Sequence, residues 1–188
     1  MRAPSLLLSC AFGAMVAVAG QAPTDPKLLA ELKQLFPSAT SFSPKGGAPP
    51  HFTAFVNAAR AAGAAGVAGG AGGASAPVVA GYAFWTTELE PLERGYHGPI
   101  KMLVGMDPKG ILAGVVVVEQ HEPYGNFSVE PPQFAAQFRG KDIRDPFKVG
   151  KDVDAVSRAS ITIESATRAI RNSARRVARE LLPPDTQK

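Results

Sequence analysis

Residues Pro99 to Gln120 read P-I-K-M-L-V-G-M-D-P-K-G-I-L-A-G-V-V-V-V-E-Q. Two apolar runs flank Asp107-Pro108-Lys109-Gly110, residue types that suit a tight turn. The stretch therefore reads as a β-hairpin, with strands over Pro99–Gly105 and Ile111–Gln120. The second strand is apolar on both faces in its middle, which is the pattern of a strand covered on both sides and predicts a central place in the sheet. Upstream, Val78 to Thr87 is rich in β-branched and aromatic residues, and His51 to Ala58 has similar character; both read as strands. Between them, Ala59 to Ala76 is low-complexity alanine and glycine. The glycines are too frequent for a helix, so the segment reads as a flexible insertion in a hairpin rather than a domain boundary.

Helices flank these strands. Asp25 can cap and Pro26 suits a first helical position. Leu28, Leu29, Leu32, Leu35 and Phe36 follow at helical spacing up to Pro37, and Ser38 to Pro50 is turn-rich. Pro132 to Phe138 reads as a short helix and Lys141 to Asp154 as loop. A long helix runs from about Ile161 to Leu182, where Pro183-Pro184 ends it. Its apolar stripe is Ile163, Ala166, Ile170, Ala174, Val177 and Leu181, with Arg168, Arg171, Arg175 and Arg179 opposite. Those arginines either form a solvated face or dock an acidic partner. The fold class is α+β: a mainly antiparallel sheet packed with an N-terminal helix and a long C-terminal helix, one domain over residues 25–182 with a tail at 183–188.

The first 20 residues have another character. Arg2 precedes an uncharged apolar run, and Val18 and Gly20 stand at −3 and −1 to Gln21, as a signal peptide requires. A retained membrane anchor is the alternative. Cys10 is the one cysteine, so a cleaved chain would have no disulfide or thiolate metal site. The net charge of +4 comes with no nucleic-acid-binding motif. His51, His97 and His121 lack metal-ligand spacing, and no P-loop, nucleophile elbow or H-E-x-x-H motif is present.

Three motifs remain. Gly95-Tyr96-His97-Gly98-Pro99-Ile100 runs into a strand, and His121-Glu122-Pro123-Tyr124-Gly125 follows one. Loops at strand ends with glycines and an aromatic ring suit a planar ligand, although plain turn chemistry gives the same pattern. The third is D-A-V-S-R-A-S-I-T, Asp154 to Thr162. Its Ser157, Ser160 and Thr162 sit at the start of the long helix. A hydroxyl there can cap, hold a phosphate, or be joined to one. No capping box is present, because Ile163 follows Ser160 by three. Simple capping is the plain reading of these residues.

Taken together and in order, G-Y-x-G-x-I, the strand pair around D-P-x-G, H-E-P and D-A-V-S-x-A-S resemble the periplasmic FMN-binding domain family, which includes the N-terminal domain of NosR and the flavin proteins NqrC and RnfG of membrane redox complexes. The NosR type is the most similar. The resemblance covers about Leu28 to Leu182, interrupted by the Ala/Gly insertion, and implies the following. FMN is joined by a phosphoester to Ser160, by a flavin transferase of the ApbE type, outside the cytoplasm. Asp154, Ser157 and Ala159 match the attachment motif, with Thr162 and Ser157 as alternative hydroxyls. Tyr96, Gly98, Pro99, Glu122 and Gly125 border the flavin. Arg158 stands where the family has glycine, and is strained if that position needs a positive φ. The implied role is electron relay between a membrane redox complex and an unknown acceptor. A flavin-free regulatory or binding module and a flavin-dependent reductase of a small substrate are the alternatives.

Overall fold

The structure is a computed structural model that describes residues 23–57 and 77–187. In chain order it contains α1 (Pro26–Leu35), β1 (Ser41–Phe42), β2 (Phe52–Asn57), β3 (Pro77–Trp85), α2 (Thr86–Leu89), β4 (Lys101–Met106), β5 (Leu112–Glu119), α3 (Gly125–Ser128), α4 (Pro132–Ala136), α5 (Ser160–Leu181) and a final 3-10 turn, Pro184–Gln187. The strands form one antiparallel sheet in sequence order, β1-β2-β3-β4-β5. The expected α+β class and antiparallel sheet are observed.

The period-2 alternation of the strands sorts their side chains into two cores. Phe84, Met102, Val104, Met106 and Val115 face α5, where Ile163, Ala166, Ile170, Ala174 and Val177 complete the layer. Ala54, Ala83, Trp85 and Leu103 face α1, meeting Leu32, Leu35 and Phe36. Each fully buried Leu, Ile or Phe stabilises by roughly 1.5–3 kcal/mol. On the α1 side, glycines make the room. A Cβ on Gly81 would lie 2.5 Å from the Phe36 ring, and one on Gly105 3.2 Å from Leu35 and Phe36. This notch lets the end of α1 sit directly on the strands.

One expectation is corrected. The strand Ile111–Gln120 was expected to be central, but β5 is an edge strand. It is apolar on both faces because the sheet is covered on both sides: Val115 and Val117 pack into the α5 core, and Val116 and Val118 into the α1 core. Two-sided apolarity reports cover, not position in the sheet. Three short elements lay below the length at which periodicity speaks: β1 in the segment read as turns, α2 where the β3 strand was extended to Thr87, and α3, which starts at the last residue of the second loop motif.

The arginine face of α5 also differs from its reading. Arg168 donates two bonds to Glu93 Oε1, at 2.8 and 3.1 Å. Arg175 donates to the carbonyls of Ile143 (2.9 Å) and Asp145 (2.8 Å). These side chains clamp loops to the helix, and Arg179 is left exposed.

The flanks of the Ala/Gly segment, Asn57 and Pro77, are register partners in the β2–β3 pair. The insertion itself and the leader at residues 1–20 lie outside the described residues. Among the described residues no helix is long and apolar enough to cross a membrane.

Candidate functional site

The start of α5 lacks the expected cap. Its N-cap residue is Ala159, and no side chain accepts from its first N–H groups. Capping by Ser157 or Ser160 is thereby corrected: both are exposed, and neither turns back onto the helix. The turn before it is formed by the backbone, with the Ala159 N–H donating to the Val156 carbonyl at 3.1 Å. Arg158 has φ +68°, the left-handed region that disfavours side chains with a Cβ. The conflict anticipated for arginine in place of glycine is therefore present. Free N–H groups and the positive end of the helix dipole point out of this terminus.

A cavity of about 500 Å³ opens at that point, lined by Tyr96, Pro123, Tyr124, Arg158, Ala159, Ser160, Ile161 and Thr162. The fold thus brings all three sequence motifs to one place. Tyr96 is 65% exposed and Ile161 54%. The Tyr124 ring lies 5.2 Å from that of Phe127, which is also exposed. Large apolar side chains left in water around a cavity mark a ligand surface.

Beneath the cavity lies Glu122, only 7% exposed. Its Oε2 accepts from the Tyr96 N–H at 2.8 Å and from the Thr162 hydroxyl at 2.5 Å, and its Oε1 from the His97 N–H at 2.9 Å. Gln120 Oε1 accepts from the Glu122 N–H at 2.5 Å. Gly95 allows this approach, since a Cβ there would fall 2.6 Å from the carboxyl. Burial pushes the Glu122 carboxyl up, but bonds from Thr162 and from the His97, Tyr96 and Gly98 amides outweigh it and hold the group below its ordinary value.

Of the residues that the sequence singles out, Tyr96, Ala159, Ser160 and Thr162 line the cavity. Gly98 and Pro99 shape the loop behind Tyr96: the Gly98 carbonyl accepts from the Gly95 N–H at 2.8 Å. Gly125 is buried and starts α3. Asp154 and Ser157 are exposed and outside the lining, and the Asp154 N–H donates to Gln137 Oε1 at 2.7 Å. Glu122 faces inward with its oxygens taken by the chain. Thr162 is 3% exposed and its hydroxyl is engaged, so of the two aliphatic hydroxyls in the lining Ser160 is the exposed one. Pro123, Tyr124 and Ile161 complete the cavity wall; Pro123 and Tyr124 belong to the second loop motif, read as bordering a planar ligand.

Comparison with known proteins agrees with this geometry. Residues 95–175 match the family described as FMN-binding domain. This is the family that the three motifs resembled, and the matched segment contains every residue of the cavity. A component of the ion-translocating oxidoreductase complex of Haemophilus influenzae is 49% identical over 47 residues, 25% of this chain and 21% of that protein. The regulatory protein NosR of Stutzerimonas stutzeri is 26% identical over 113 residues, 55% of this chain and 16% of that protein. The matches span about a fifth or less of the length of these relatives.

The residues present fit FMN. The cavity is of small-molecule size. The uncapped helix start offers N–H donors to a phosphate, and Tyr96 and Tyr124 offer faces to a planar ring.

Proposed function

We propose that this chain is an extracytoplasmic electron-transfer domain with FMN joined covalently to Ser160. The observation that carries the reading is the exposed Ser160 hydroxyl at an uncapped helix start, opening into an aromatic-walled cavity. When bound, FMN supplies reversible uptake of electrons; the chain supplies binding, orientation and electrostatics. The α5 N-terminus would hold the phosphate, and Tyr96 and Tyr124 would border the ring.

Attachment needs a separate transferase of the ApbE type. Ser160 would supply the oxygen of the new O–P bond at a flavin-bearing phosphoanhydride; the anhydride bond would break, its other phosphate would leave, and the serine proton would pass to a base of the transferase. Electrons then arrive from a membrane redox complex and leave to an acceptor. This placement is supported by the similarity to the oxidoreductase-complex component and to NosR. The leader, with Arg2 ahead of an uncharged apolar run, supports export.

Co-expression with such a transferase, followed by denaturation, tests the reading. The expected outcome is retained yellow colour and a mass increase of one FMN on the peptide holding Ser160. An unmodified mass overturns it. Arg158 at φ +68° favours a second reading, a flavin-free module with a lost attachment site, and the same unmodified mass would be its signature.

A further inference from the structure

The buried carboxylate of Glu122 joins parts of the chain that are distant in sequence. It lies 25 and 26 positions from the two loop amides it binds and 40 from Thr162. Tyr96 and Thr162 line the cavity, and the Glu122 carboxylate that bonds both is buried. No other side chain bonds both the Tyr96 loop and the start of α5 among the described residues.

A tethered flavin imposes a fixed demand on this site. Its phosphate end is held at Ser160 and its ring must meet the wall that carries Tyr96. The spacing between Ser160 and Tyr96 is therefore a functional dimension, and the Glu122 clasp sets it. We propose that Glu122, acting through Thr162 and the Tyr96 and His97 amides, is the positioning residue for the flavin. It fixes the aromatic loop against the helix start, and by engaging the Thr162 hydroxyl it leaves Ser160 as the acceptor.

The geometry supports the two parts of this role separately. The oxygens of Glu122 receive three donors at 2.5–2.9 Å, a preorganised and charge-assisted set. Gly95 is shaped around the carboxyl, with no room for a Cβ. Gln120 in turn fixes the Glu122 backbone and donates to Glu130 Oε1 at 2.6 Å. A carboxylate kept only for fold stability has no need to span the two walls of a ligand cavity.

The inference rests on the FMN reading above, and the test separates the two. The full chain, Glu122→Gln, Thr162→Val and Thr162→Ser are each exposed to the transferase under matched conditions. Amide exchange at Tyr96 and His97 reads the clasp without flavin. Peptide mass gives the site and yield of attachment, and iodide quenching gives the accessibility of the attached flavin. In Glu122→Gln, exchange is expected to rise about tenfold or more at whichever of the two amides faces the new NH₂, which cannot accept, while the other keeps an oxygen. Attachment at Ser160 is expected to fall about fivefold or more, with quenching increased. Thr162→Val shifts all three readouts in the same direction, and Thr162→Ser restores the original values.

Faster exchange with unchanged attachment and quenching would overturn the positioning role. Unchanged exchange would overturn the clasp itself. Absence of adduct on the unaltered chain would overturn the FMN reading, and this inference with it.

Discussion

The two long helices of this protein start in opposite ways. At α1, Asp25 accepts from the Lys27 N–H at 2.9 Å, and Pro26 takes the first helical position. At α5, alanine stands at the N-cap, and nearby serines leave the backbone donors alone. The residue before that N-cap is a non-glycine residue with positive φ. One start is built for the helix. The other forgoes a cap worth about 1 kcal/mol and holds a strained residue beside it. Such omissions are expected where the terminus must receive something from outside, and the cavity at Ser160 lies there.

The contrast can be broken at several points. The largest effect is expected from Ser160→Ala, which should abolish covalent flavin and leave folding intact; an adduct that persists at full yield would move the attachment elsewhere. Next comes Glu122→Ala, which strands the Tyr96 and His97 amides and the Thr162 hydroxyl. It should cost about 2–3 kcal/mol in denaturant unfolding.

The same carboxyl predicts a pH dependence. Its folded value is depressed, so its contribution is complete above the ordinary carboxylate range and is lost as pH falls through the folded value. Acidification from neutrality should therefore destabilise Glu122→Gln less than the unaltered chain. Equal losses would mean that the clasp does not titrate.

Smaller effects sharpen the comparison of the helix starts. Asp25→Ala should lower stability by about 1 kcal/mol. Ser157→Ala should change it by less than about 0.5 kcal/mol, because no cap is lost. Arg158→Gly should gain up to about 1 kcal/mol by relieving the left-handed backbone. A clear loss on Ser157→Ala would show that the α5 start is capped in solution after all.

Much of this was legible in the sequence, for reasons that differ by element. The D-P-K-G hairpin announced itself through turn chemistry, and Asp107 duly accepts from the Lys109 and Ile111 N–H groups, at 2.8 and 2.9 Å. The stripe of α5 followed from spacing: Ile163, Ile170 and Val177 are fully buried. The place of β5 was misread because periodicity reports what covers a strand, not how many neighbours it pairs with. In the site, the convergence of three motifs could be inferred only from their order. The inward turn of Glu122 could not, since nothing near His121 or Pro123 signals a partner 40 residues on. Capping was misread because hydroxyl content near a helix start does not reveal which way the hydroxyls turn.

The pairing of Asn57 with Pro77 has a practical side. Because the strand ends leave the sheet side by side, the junction is an insertion port. Any peptide or small domain whose own termini are adjacent can be spliced between them without altering the strand register. Doubling the length of such a flexible graft costs only about 0.6 kcal/mol. A reporter or a surface anchor could be placed there, giving the flavin site a handle that leaves the two ends of the chain free.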